Sequence, residues 1–307
     1  MKNWQRNLAL FGVLVVGLGA AGFFGLRAWS SSTYDETQTV EAAAVKTISV
    51  DVSSADVHII PGLDSQATAH FYGKGRADAY GLEVKTNGDN LIIQITHPSG
   101  FIGFGPQSLG LEITLPQKQY DRLEIHSGSG NTKLQDLKVK TLLSKTGSGN
   151  QDIVHTTADS IQLDTGSGDL TVDQTSAVLD LHTASGDILG RRINSPKVTT
   201  NCASGNVTLD GLTGEVNAQA ASGNIELSYD KLNGNVNAHT ASGNITLILP
   251  SDSSFHLNHH SSSGDFRSDF ALTNLSSSEH RHEGTVGSGG PTLTIENNSG
   301  NLNVRKK

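Results

Sequence analysis

The sequence predicts an all-β chain: a single-chain β-solenoid (β-helix) of roughly 19-residue coils, preceded by irregular β coils and one N-terminal transmembrane helix. Three observations predict it. First, a Ser-Gly-Asn/Asp phrase recurs nine times, its glycine falling at Gly130, Gly149, Gly168, Gly186, Gly205, Gly223, Gly243, Gly264 and Gly300. Second, successive glycines lie 19, 19, 18, 19, 18, 20, 21 and 36 residues apart, so the last interval fits two periods with one phrase lost. A near-constant period of this length is the signature of stacked supersecondary units. Third, the positions two and four residues after the glycine are mostly apolar (Leu170/Val172, Val207/Leu209, Ile225/Leu227, Ile245/Leu247), with a polar residue between them. That is the period-two alternation of a short strand with one buried face.

A second strand precedes each phrase, at Ile161/Leu163, Leu179/Leu181, Val216/Ala218, Val236/Ala238 and Leu293/Ile295. Each repeat therefore reads as strand, turn, strand, turn. Glycine suits the first turn because it takes positive φ without a Cβ clash, and Asn or Asp beside it can bond local backbone. Asp210-Gly211 and Asn233-Gly234 mark second turns. One such coil cannot bury its own apolar face, but stacked coils can. At about 4.8 Å per coil, roughly nine coils make a rod of about 45 Å.

From the start of the chain, residues 1–7 read as a cytoplasmic N-terminus and 8–28 as a transmembrane anchor. Leu8–Leu26 carries no charge, and at 1.5 Å per residue it spans about 28 Å, enough for a bilayer core. Lys2 and Arg6 precede it while Asp35 and Glu36 follow, which places the remainder outside the cytoplasm. The alternative, a cleaved signal peptide, has an apolar core of about 7–15 residues ending in a small-x-small site. This run is longer and no such site follows. Residues 29–44 are polar and unpatterned and read as an extracellular stalk. Residues 45–126 alternate (Ile48/Val50/Val52, Val57/Ile59, Leu91/Ile93/Ile95, Leu111/Ile113/Leu115) without the strict period, and read as an irregular β region covering the first regular coil. Within it, Ser54-Ala55-Asp56 is a degenerate copy of the turn phrase, and the glycine-rich segment 99–105 is a loop carrying Phe101 and Phe104. Residues 127–305 are the regular repeats.

Composition narrows the function. A net charge of −8, with 17% charged residues and no basic cluster beyond the termini, excludes nucleic acid as a partner. Cys202 is the only cysteine, so no intramolecular disulfide can form, and its column, three before the glycine, holds small residues (Ser127, Thr146, Thr165, Thr183, Ala220). The Asn/Asp column invites a calcium ladder, but only Asp169, Asp187 and Asp265 carry charge, whereas hard cations want several converging carboxylates. Stacked side-chain hydrogen bonding is the better reading. His280 and His282 share a strand face and would hold zinc only with a third ligand. The column four before the glycine (His126, Lys145, Asp164, His182, Asn201, Gln219, His239, His260, Glu296) is polar throughout, so these side chains face solvent. Asp164 and His182 are its one acid–base pair in adjacent coils, too little for general acid–base catalysis. No catalytic, cofactor or metal residue is assigned.

The anchor, the Thr-Ala-Ser-Gly-Asn-Ile phrase at Thr240–Ile245 and the Gly-Ser-Gly-Gly-Pro-Thr-Leu-Thr-Ile run at Gly287–Ile295 resemble the putative-adhesin family of unknown function. The chain is similar to its membrane-anchored Gram-positive members, associated with the Lia-type cell-envelope stress response, over about residues 45–305. The resemblance implies an extracytoplasmic envelope protein without known catalysis and supplies no catalytic residue. The expectation is a single-pass membrane protein whose partners are the cytoplasmic membrane, through Leu8–Leu26, and a cell-wall component or envelope protein. It would act as a non-enzymatic adhesion, scaffold or stress-response module. The alternative is a glycan-active β-helix enzyme with a groove along the rod.

Overall fold

The computed structural model describes residues 31–76, 80–96, 108–278 and 280–307. The anchor and the loop 99–105 lie outside the described residues, and no helix among those residues is long and apolar enough to cross a membrane.

Alternation along the chain translates directly into two sheets. The strand before each turn joins a 14-stranded sheet and the strand after it joins a 13-stranded sheet, parallel to its counterparts above and below. In the regular coils the register is one residue per rung: Leu163 pairs with Leu181 in one sheet, Val172 with Gly190 in the other. The inward residues of both sheets form one continuous apolar core, including Ile125, Leu163, Leu181, Val172, Leu209 and Leu227.

The turn phrase closes each coil and stacks. All nine phrase glycines have φ between +126° and +156°. At Gly205 (φ 145°) a Cβ would also run into the Gly186 carbonyl oxygen of the coil below. The Asn/Asp column forms an unbroken ladder in which each side-chain oxygen accepts the backbone N–H of the same position one coil on. It runs from Asp56 through Asn131, Asn150, Asp169, Asp187, Asn206, Asn224, Asn244 and Asn301 to Asp265, at 2.7–3.0 Å. The first rung confirms Ser54-Ala55-Asp56 as a copy of the phrase. The column three before the glycine faces inward, and three of its threonines donate to turn carbonyls: Thr165 to Gly149, Thr183 to Gly168, Thr240 to Gly223. Cys202 is buried in the same slot with Sγ 3.3 Å from the Gly186 carbonyl, and burial pushes its thiol pKa up.

The structure departs from the sequence reading in three places. The polar segment read as a stalk contains an 11-residue strand, Ser31–Glu41, paired antiparallel with Gln66–Arg76. Its inward positions alternate only in part: Tyr34 and Val40 pack on the core, while Glu36 and Gln38 between them do a polar job. Glu36 Oε2 accepts the Leu82 N–H, while Gln38 donates to the Leu82 carbonyl and accepts the Val84 N–H. These side chains satisfy the backbone of Gly81–Asn87, the edge strand of the opposite sheet, and so close that end.

The second departure is the 36-residue interval. Residues 269–290 hold no lost coil; Thr273–Ser277 and Arg281–Val286 form an antiparallel pair on the end of one sheet. The third is spatial order. The last coil in sequence, Thr292–Ser299 with Leu302–Lys306, lies between the coil of Val236–Ser242/Ile245–Leu249 and that of Phe255–Ser263/Phe266–Ser268. At the other end, Thr47–Val52 with Asp56–Gly62 is likewise an internal coil, with Asn90–Thr96 and Ser108–Pro116 outside it and Gln119–Ser129 and Thr132–Gln135 inside. Both outermost regular coils of the sequence are thus covered by coils that come from nearer its middle.

Candidate functional site

Parallel stacking aligns the nine residues four before the glycine with Asp51 and Gln94, and an antiparallel pairing adds Arg281, to give twelve successive rungs on the outer face of the 14-stranded sheet. They run Gln94, Asp51, His126, Lys145, Asp164, His182, Asn201, Gln219, His239, Glu296, His260, Arg281. Insertion of the last coil sets Glu296 between His239 and His260, so a carboxylate separates two imidazoles that sequence order would make neighbours. His239 Nδ1 stands 3.6 Å from Glu296.

Beside this ladder, two residues further on, the side chains shrink to nothing or a methyl: Gly128, Gly147, Gly166, Ala184, Ala203. The surface recedes there into an open groove of about 760 Å³ that follows the stack, floored by those residues and walled by Asp51, His126, Lys145, Asp164, His182 and Asn201. A Cβ on Gly147 would stand 2.6 Å from the Gly128 carbonyl, so the floor is tight against the next coil.

The wall is paired within itself. Glu124 accepts from His126 at 2.8 Å and from Arg122 at 3.0 Å, and these hydrogen bonds, that of His126 foremost, lower its carboxyl pKa. Asp164 takes Gln162 at 3.1 Å and lies 3.7 Å from Lys145 Nζ, and its backbone carbonyl is held from within by buried Gln151 at 2.7 Å. His182 bonds Asp180 at 2.7 Å. The structure therefore brings Asp164 and His182 onto one wall in adjacent rungs but gives each a different partner. A general acid–base couple needs both groups within reach of one reacting atom, and this pair is divided. Among the described residues no group of three or more His, Cys, Asp or Glu is placed to hold a metal ion. His280 is exposed, and His282 stacks on Phe266 with ring centroids 4.8 Å apart.

Two features escaped sequence reading. One is the groove itself, whose floor column could have been found by asking where small residues recur beside a polar column. The other is His259, buried in the column five before the glycine that elsewhere holds Ile125, Leu163 and Leu181; the period places it inward, but the neighbouring polar His260 masks the signal.

The family described as Toastrack DUF4097 matches residues 45–199 and again 177–305. No curated protein matches the chain. Among solved structures, a putative adhesin from Bacteroides fragilis is similar at 13% identity and a TM-score of 0.45, over 89% of this chain and 98% of that one. A putative cell adhesion protein from Clostridium sporogenes is similar at 13% identity and a TM-score of 0.25, over 90% and 100% respectively.

Proposed function

As a member of the Toastrack DUF4097 family, to which the chain belongs over residues 45–305, this protein is, we propose, a non-enzymatic cell-envelope module. Leu8–Leu26 anchors it in the cytoplasmic membrane, the solenoid projects outside, and the polar groove engages an extended cell-wall component or envelope protein. Adhesion, scaffolding and a role in the envelope stress response are the uses this reading includes.

One observation carries it: the groove runs open along the stack with one polar side chain per coil, a surface that repeats with its ligand instead of enclosing a reacting bond. An enzyme needs a site from which water can be excluded and an acid and base converging on one atom, whereas Asp164 and His182 are each engaged elsewhere.

The test uses wall-stripped cells and purified full-length protein. Added protease should digest the solenoid on intact stripped cells, and the protein should sediment with isolated cell-wall material. Lys145→Glu, which replaces the wall's lysine with a third carboxylate beside Asp51 and Asp164, should weaken sedimentation, while Asp164→Asn with His182→Gln, which keep the polar contacts but remove titration, should leave it unchanged. Release of soluble sugar or peptide fragments from the wall, abolished by that double substitution, would establish the glycan-active alternative and defeat the proposal. Protection from protease would defeat its topology.

A further inference from the structure

At the C-terminal end of the stack a histidine stands where the repeat calls for an aliphatic side chain. His259 is 2% exposed and occupies the inward column that holds Ile295 in the coil beneath. Its Nε2 lies 2.7 Å from Asn297 Oδ1 in that coil. Asn297 Nδ2 donates to the Gly300 carbonyl, which can only accept, so the amide is fixed with its oxygen toward the ring. His259 is therefore the tautomer with its proton on Nε2, and its Nδ1 is buried without a partner.

Rings from two other segments complete the cluster. His282, on the antiparallel strand Arg281–Val286, pairs with His259 across the sheet and stacks on it, ring centroids 5.5 Å apart and planes within 11°. Phe266 lies 5.6 Å from His259 and 4.8 Å from His282. His282 Nδ1 is 2.8 Å from Ser277 Oγ on the outermost strand. One ring cluster thus ties together the inserted coil 292–306, the covering coil 255–268 and the terminal strand pair 273–286.

We propose that this cluster is an acid-released latch: protonation of His259 and His282 frees the cap, residues 255–286, from the inserted coil and uncovers the edges of Thr292–Ser299 and Leu302–Lys306. Protonated His259 would carry a second donor, on Nδ1, into a space with no acceptor, and a protonated pair would set two cations face to face. An unsatisfied buried donor and a buried unpaired charge are both costly.

Among the described residues, of the groups that can carry charge on the packed strands, His282 is the one stacked on His259; His280, on the same side as His282, is exposed. His260, Glu296, Arg281, Glu283 and Arg267 stand on the outer faces of the same strands, and no carboxylate among the described residues is hydrogen-bonded or ion-paired to either inner ring. Burial, foremost, lowers both imidazole pKa values; for His259 the Asn297 bond opposes this and His282 and His260 add to it. For a base whose pKa is lower in the folded state, the stability it contributes is complete above the unfolded value, about 6.5, and drains away as pH falls below it toward the folded value.

Hydrogen exchange on the full-length protein, corrected for intrinsic pH dependence, tests this. Protection of 255–286 should fall by up to about tenfold per histidine for each pH unit below about 6.5, while 119–229 stays protected. His259→Leu paired with Asn297→Thr, which restores residues found in those columns elsewhere, should remove the share of the dependence that belongs to His259, and His282→Phe alone the share that belongs to His282, each leaving a shallower slope, both with wild-type protection at neutral pH. Unchanged wild-type protection down to about pH 5, or the same acid loss in both variants, overturns the proposal. Neither result bears on whether the groove binds the cell wall.

Discussion

At the scale of single residues, the repeat phrase is a set of separate physical demands met by separate side chains. Asn and Asp interchange in the ladder because the turn uses only one side-chain oxygen as an acceptor, which both residues supply. The glycine has no substitute. Gly205→Ala combines a positive φ of 145° with a clash against the Gly186 carbonyl and should cost about 2–3 kcal/mol. Thr208→Ala, outward on the strand that follows, should stay within about 0.5 kcal/mol. Urea unfolding of the two variants checks both, and similar losses would contradict the register.

At the scale of elements, polar residues often do what the apolar pattern does elsewhere. Ser31–Glu41 is held in the fold by Glu36 and Gln38 bonding another sheet's edge, so Gln38→Leu strands the Leu82 carbonyl and the Val84 N–H. That should cost about 2–3 kcal/mol, with hydrogen exchange in 81–87 rising more than in the coils near 200. The second turn shows the same economy. Asp136, His155, Gln174 and Arg192 hold φ of 49–55°, stacked in line with Gly211. His155 lies between Asp136, at 3.2 Å from Nδ1, and Gln174, so side-chain bonding in the column offsets a backbone cost that glycine alone would avoid. Gly190, an apparent gap in an apolar column, is filled by Ile193, whose Cδ1 occupies the space a Cβ would take.

At the scale of the molecule, stability in a stack is a sum of coil and neighbour terms, so what matters is which coils are neighbours. Ending the chain after Pro291 would remove a coil bonded on both sides, to Val236–Ser242 and to Phe255–Ser263. The expected outcome is loss of the whole cap, seen as rapid proteolysis across 250–290 with the coils from 119 to 229 still resistant. Fraying confined to the last few residues would contradict the insertion.

The sequence by itself determined the solenoid, the position of each turn phrase, the inward and outward faces of the regular strands and the slot for Cys202, because all of these follow from a local period that each coil repeats. It also determined that Asp164 and His182 share a column. Tertiary structure alone decided their separate partners, the groove beside them, the order in which coils meet at both ends and the burial of His259 against His282. Those depend on contacts between residues far apart in the chain: a repeat makes its coils locally equivalent, so their spacing cannot say which one lies next to which.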